Sequence, residues 1–329
     1  MSATARTNRS LTAVAWRDLF RDRPIVPLIG LLAVLIVVIE LADPGIVRPA
    51  WAGVILRASV PLAILAGCQT LTMLTGGIDL SVAAVGSMAG FLTATLVHSP
   101  GGVAEGIAFA IAAAALAGLL NGIGVGVFRV HPLIMTLGMS FVVLGLANVW
   151  QLISIQTGAG VPDSLRWLGS QSWLDVVPYN LLVFVPVMLV ILLGLRRTGY
   201  GRLLYAIGDN PVAARLSGAR AWQILIVLYV ISAVFAAIAG LLVSGLTNTA
   251  SVTLVDSSLL PSVAAAVIGG TSILGGRGGF GGTIVGAVIL TVLTALLTVV
   301  GLPEPTRQIV FGSIIVVVAA AYTRVTSES

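Results

Sequence analysis

Long apolar runs follow one another along almost the whole chain and constrain its fold more than any other feature. A helix that crosses a bilayer needs about 20 predominantly apolar residues. About ten such runs are present, near residues 25–41, 52–74, 80–97, 103–121, 132–150, 180–195, 222–245, 258–274, 280–300 and 306–322. Because unpaired backbone groups are costly in lipid, the runs predict an all-α polytopic membrane protein, a bundle of about ten transmembrane helices.

Composition supports this prediction and excludes some chemistry. Only 9% of the 329 residues are charged, against about 25% in a soluble domain. All 17 basic residues are arginine, so the chain lacks the lysine with which a Walker A loop contacts ATP phosphates. Schiff-base chemistry on lysine is excluded for the same reason. The net charge of +5 does not indicate a nucleic-acid partner, because the arginines lie near the predicted membrane faces.

The distribution of arginine predicts the orientation, since short arginine-rich loops stay in the cytoplasm. The two richest clusters lie in the N-terminal tail, residues 1–24, and in the loop 196–221. Six apolar runs separate the two clusters. An even number of spans returns the chain to the side from which it started, so both clusters can lie in the cytoplasm. We therefore expect a transmembrane domain over 25–323 with both termini cytoplasmic, including the tail 324–329, and an external loop over 151–179.

The start of the chain has an alternative interpretation as a signal peptide, because five arginines precede the first apolar run. That run is long, carries Glu40 near its end and lacks a clear cleavage site between small residues. We interpret it as a retained first span.

Residues 201–220, GRLLYAIGDNPVAARLSGAR, interrupt the apolar pattern with turn and helix signals. Asp209 or Asn210 suits an N-cap, Pro211 suits the first helical position, and Gly218 suits the residue after the helix. The pattern predicts a helix of about two turns, which is marginal in water by itself. Two interpretations are open: a solvated loop that sets orientation, or a helix that docks on a cytoplasmic partner. The candidate docking residues are Asp209, Asn210, Pro211, Ala213, Ala214, Arg215, Leu216 and Gly218.

Two glycine-rich interruptions stand out among the apolar runs. Gly76-Gly77 precedes Asp79, which could cap the next helix with help from Ser81, or belong to a broken helix that exposes backbone groups to a transport pathway. The second interruption includes residues 276–281, a literal G-x-G-x-x-G. A dinucleotide site would need a preceding strand in a soluble unit, so we expect a tight turn and close helix packing.

Four stretches together resemble the permease subunits of bacterial ABC importers for ribose, xylose, galactose and related sugars. They are TGGIDLSVAAVGSMAG (75–90), NGIGVGVFRVHPLIMTLG (121–138), the loop TGYGRLLYAIGDNPVAARLSGAR and AAVIGGTSILGGRGGFGGTIVGA (265–287). The resemblance covers nearly the whole chain from the second run onward, in family order. Two departures are Ala83, where the family usually has glycine, and residues 259–262, which replace a more usual acidic pattern and put the substrate preference in doubt.

The resemblance implies a division of labour between chains of the bacterial plasma membrane. The loop around 209–218 would supply a coupling helix that binds a cytoplasmic ATPase, and that ATPase would hold ATP and Mg, so no cofactor is expected here. A periplasmic or lipid-anchored sugar-binding protein would deliver the solute, and a second permease subunit, identical or related, would complete the pathway. The candidate pathway residues are Gln69, Gly76, Gly77, Asp79, Ser81, Asn121, Asn248, Gly269 and Gly270.

Other functions have less support in the residues. Related permeases carry branched-chain amino acids, and a secondary transporter would need a coupling-ion site in spans with few acidic residues besides Asp79. His98, His131 and Cys68 are scattered, so no metal cluster is expected. A membrane enzyme would need a reactive constellation, and the sequence has no G-x-S-x-G nucleophile elbow. We therefore predict no catalytic residues.

Overall fold

The structure is a computed structural model that describes residues 25–97, 99, 101–154 and 160–327. The predicted tail 1–24 and His98 lie outside the described residues, as do the last two residues of the predicted tail 324–329.

Thirteen α-helices are described. They are α1 (Ile25–Ala42), α2 (Pro49–Met73), α3 (Val82–Thr95), α4 (Gly102–Gly126), α5 (Pro132–Ser154), α6 (Asp163–Ser170), α7 (Leu181–Arg197), α8 (Gly199–Asp209), α9 (Pro211–Leu216), α10 (Ala221–Thr247), α11 (Leu259–Ile268), α12 (Phe280–Val299) and α13 (Glu304–Ser327). A two-stranded antiparallel hairpin of β1 (Ser172–Trp173) and β2 (Val177–Pro178) lies between α6 and α7, with Trp173 opposite Val177. The chain is thus an all-α polytopic protein.

Six of the described helices, α1, α2, α4, α5, α10 and α12, are long and apolar enough to cross a membrane. The pair α7 and α8 bends by 70° at a short break and would make a seventh span if counted as one. Each of the ten predicted apolar runs contains a helix, but α3 has only 14 residues and α11 only 10. At 1.5 Å per residue these are about 21 and 15 Å long, shorter than the hydrocarbon core.

The centre of the bundle is α10, which packs against α2, α3, α4 and α6. Small residues permit its close contact with α4: Gly118, Gly122 and Gly126 recur every fourth position and face the α10 backbone around Tyr229, Ile226 and Trp222. This is the small-xxx-small pattern of membrane helix pairs. Every residue of α3 is buried, so this short helix is enclosed by the protein.

Candidate functional site

The helix predicted in the polar loop is present as α9, Pro211–Leu216. Asn210, one of the two predicted caps, is the N-cap: its Oδ1 accepts hydrogen bonds from the backbone N–H of Val212 (3.1 Å) and Ala213 (2.9 Å). Pro211 occupies the first position, where its missing N–H costs nothing. Gly218 follows the helix with φ of +86°, the left-handed conformation that favours glycine. Asp209 is the last residue of α8.

The two sides of α9 differ in exposure. Ala214 is buried, whereas Val212 is 57% and Leu216 85% exposed. Arg215 lies beside them, and its Nε donates to the carbonyl oxygen of Pro211 at 3.0 Å. The short helix therefore presents apolar side chains with an arginine at their edge, a chemistry typical of a protein contact.

Three segments distant in sequence meet where α8 ends, and we call this contact the glycine junction: Leu74, Gly208 and Gly276. The N–H of Gly276 donates to the carbonyl oxygen of Leu74 at 3.0 Å. A Cβ on Gly208 would overlap that same oxygen and lie 2.6 Å from the nitrogen of Gly276. Backbone therefore packs directly on backbone. The junction joins the α8–α9 loop to both glycine-rich interruptions of the sequence.

A second set of contacts forms in the first interruption, and we call it the Asp79 network: Gln69, Asp79, Ser81, Asn121 and Ser232. All five side chains are buried. The Asp79 carboxylate accepts hydrogen bonds from the Ser81 N–H (3.0 Å) and hydroxyl (2.6 Å) at Oδ1, and from the Ser232 hydroxyl (3.0 Å) at Oδ2. The Gln69 side chain donates from Nε2 to the carbonyl oxygen of Asp79 (2.8 Å), and its Oε1 accepts from the Asp79 N–H (3.2 Å). Asn121 donates to Ser81 Oγ at 2.9 Å.

The geometry bears on both interpretations of Asp79. Ser81 occupies the N-cap position of α3 and its own side chain makes no capping hydrogen bond, whereas the Asp79 carboxylate, two residues earlier in the chain, accepts the Ser81 N–H. The same carboxylate also connects this turn to Ser232 in the middle of α10. Sequence reasoning missed Ser232, whose only signal is a hydroxyl within the apolar run of α10.

The remaining pathway candidates are dispersed. Gly76 is exposed with φ of +78°, and Gly77 is buried against Pro132 of α5. Gly269 and Gly270 end α11. Asn248 is exposed at the end of α10. Since it follows Ser232 by 16 residues of the chain, it lies about 24 Å along the helix from the Asp79 network. The structure thus brings together Gln69, Asp79, Ser81 and Asn121 but not Asn248.

Replacing Asp79 by alanine is expected to lower the stability of the folded chain. The change removes the acceptor of two side-chain donors and one backbone donor in a buried site, and each buried polar group left without a partner costs about 1–3 kcal/mol. The melting temperature of the purified protein in detergent should fall by about 5 °C or more. The matched control is Asp43→Ala, at an exposed turn after α1; equal melting temperatures for the two variants would contradict the role of the network.

The described residues hold no group of three or more His, Cys, Asp or Glu side chains that could bind a metal. The G-x-G-x-x-G match leads directly into α12, and the strands described elsewhere are the two short ones of the hairpin. Nothing in this local structure resembles a dinucleotide site.

Six described helices are long and apolar enough to cross a membrane, and they enclose the short apolar helix α3. These features are those of a multi-pass membrane protein. The chain belongs to the family described as "Branched-chain amino acid transport system / permease component", whose pattern matches residues 52–319. As a permease component of the cell membrane, it is a transport protein and not an enzyme.

Several permeases are similar to the chain. It is 32% identical over 272 residues to the fructose import permease protein of Rhizobium meliloti, covering 81% of this chain and 76% of the relative. It is 30% identical over 292 residues to the ribose import permease protein of Bacillus subtilis, covering 88% and 90%. It is 34% identical over 265 residues to the galactofuranose transporter permease protein of Escherichia coli, covering 80% and 77%. No solved structure matches the chain.

Proposed function

We propose that this chain is the permease subunit of an ATP-binding-cassette importer and forms the membrane pathway for a monosaccharide. The observation that carries the proposal is its similarity, over most of the length of both chains, to permeases named for fructose, ribose and galactofuranose. The family description names branched-chain amino acids, which makes those the second candidate solute.

The partners follow from the same proposal. A cytoplasmic ATPase binds α9 through Val212, Arg215 and Leu216, and holds the ATP and Mg that drive transport. An extracytoplasmic binding protein delivers the sugar, and a second permease subunit completes the pathway. The exposed apolar side chains of α9 support the first of these contacts.

The proposed topology has ten spans, cytoplasmic termini, the loop 196–221 inside and the loop 151–179 outside. The glycine junction supports it, because Leu74, Gly208 and Gly276 follow the second, sixth and eighth spans, and even-numbered spans end on one side. Gly169, in the predicted external loop 151–179, likewise lies against Gly245 at the end of the seventh apolar run, which the topology assigns to the external side.

In this proposal the two interrupted segments border the pathway, and movement of α9 reaches them through the glycine junction. The Asp79 network fixes the first segment, while Gly76 and Gly270, both exposed, present backbone toward the route. The residues proposed for the pathway and its support are Gln69, Gly76, Gly77, Asp79, Ser81, Asn121, Asn248, Gly269 and Gly270.

Reconstitution would test the function. The chain is purified with its ATPase, placed in liposomes, and supplied with the binding protein and radiolabelled ribose, fructose or galactose. We expect uptake of one sugar that requires ATP and the binding protein and is insensitive to a proton ionophore. The control is the same liposome with ADP. Uptake of leucine in place of every sugar would favour the second candidate, and uptake that needs a proton gradient without ATP would contradict the proposal.

A further inference from the structure

An apolar cavity of about 500 Å³ lies between the β1–β2 hairpin and the first half of α7. Trp173 and Val177 line it from the hairpin, and Leu182, Val185 and Pro186 line it from the helix. No charged side chain is among the lining residues. Its volume lies within the range of small-molecule sites. An apolar cavity without polar partners does not hold ordered water but can bind an apolar molecule.

The cavity continues into an apolar stripe along α7. Leu182, Val185, Leu189 and Leu193 are all exposed and follow a spacing of three and four residues, which aligns them on one helix face. From Leu182 to Leu193 the stripe is about 16 Å long at 1.5 Å per residue. That length is close to half of a hydrocarbon core of about 30 Å. The stripe therefore has the dimensions of one leaflet.

Aromatic side chains surround the hairpin end of the stripe. Trp167 stacks on Tyr179 with ring centroids 4.4 Å apart, and Trp173 is exposed, as is its neighbour Leu174. Tryptophan and tyrosine are enriched where the headgroups of a bilayer meet its hydrocarbon. At the other end α7 finishes with Arg196 and Arg197. The aromatic end thus matches the headgroup level of one leaflet and the apolar stripe matches the hydrocarbon of that leaflet, while the two arginines follow the stripe toward the opposite face.

We propose that the cavity binds one acyl chain of a membrane phospholipid, with the chain extending from Trp173 along the α7 stripe. The site is distinct from the glycine junction and the Asp79 network. It does not depend on which solute the permease carries. A bound acyl chain would fill the space between the hairpin and the helix and so hold the hairpin against α7.

Fluorescence quenching by brominated phosphatidylcholine tests the site. The full chain is placed in nanodiscs, one chain per disc, with brominated or ordinary lipid, and the signal of Trp173 is obtained as the difference from the Trp173→Phe variant. We expect strong quenching of Trp173 by the brominated acyl chains. With one chain per disc and no other protein present, neither a second copy nor an extracytoplasmic protein can occupy the cavity.

Two matched variants distinguish an acyl chain bound in the cavity from lipid that only surrounds the protein. Val185→Phe fills the cavity and should reduce the quenching of Trp173 at least twofold, whereas Val190→Phe, at an exposed α7 position outside the lining, should leave it unchanged. For each variant, the fluorescence of Trp173 is obtained by subtracting the fluorescence of the same variant that also carries Trp173→Phe. Absence of quenching, or equal quenching in both variants, would overturn the proposal.

Discussion

Replacing Gly208 by alanine is expected to reduce solute uptake about tenfold or more. The added Cβ would overlap the carbonyl oxygen of Leu74 and approach the nitrogen of Gly276 to 2.6 Å. Both are backbone atoms, so no side chain can rotate away and the three segments must separate. Overpacking of this kind costs about 1–3 kcal/mol, and loss of the hydrogen bond between Gly276 and Leu74 adds about 0.5–1.5 kcal/mol. One or two kcal/mol changes a conformational equilibrium by a factor of about 5–30.

The measurement is ATP-driven uptake in liposomes, with the amount of inserted permease and co-purified ATPase determined for each sample. Gly194→Ala is the matched control, because a Cβ at that α7 position meets no atom within 4 Å. In the Gly208 variant we expect the ATPase still to be bound through α9, while uptake per inserted chain falls. Normal uptake by Gly208→Ala would show that the junction does not transmit movement.

The features predicted well from sequence are those whose causes are local. The prediction of α9 rested on Asn210 as the cap, Pro211 at the first position and Gly218 beyond the end. Each of these residues acts on backbone only a few residues away along the chain. Long apolar runs predict membrane helices for a similar reason, since hydrophobicity over about 20 residues is sufficient. Each of the ten apolar runs accordingly contains a described helix, and six of these helices are long and apolar enough to cross a membrane.

Features that depend on distant contacts were not predictable in the same way. The run 80–97 is long enough to span, but the helix covers only Val82–Thr95. The turn before Val82 is held by Gln69 and Ser232 from other helices. Nothing near Gly208 in sequence indicates that Leu74 and Gly276 lie against it. The glycine-rich segments were recognised as interruptions, but their meeting point is a property of the packed bundle.

Replacing Leu216 by aspartate should release the ATPase from the permease. Leu216 is 85% exposed at the end of α9, so its side chain contributes little to the fold of the single chain, and the substitution should leave the melting temperature of the isolated permease unchanged. In the proposed complex the same side chain is buried by the ATPase. Burying a leucine contributes about 1.5–3 kcal/mol, and an unpaired carboxylate in its place adds a further desolvation penalty.

The expected result is a loss of ATPase affinity of about 100-fold or more, corresponding to about 2.7 kcal/mol, measured by titrating labelled ATPase onto the permease in nanodiscs. Val300→Asp is the matched control, since Val300 is also an exposed apolar residue but lies in the turn after α12, which the proposed topology assigns to the external side. If Leu216→Asp binds the ATPase as tightly as Val300→Asp, α9 is not the contact, and the arginine-rich loop serves only to orient the chain in the membrane. A selective loss in the Leu216 variant would support both the contact and the sidedness of the bundle, because one ATPase can approach only one face.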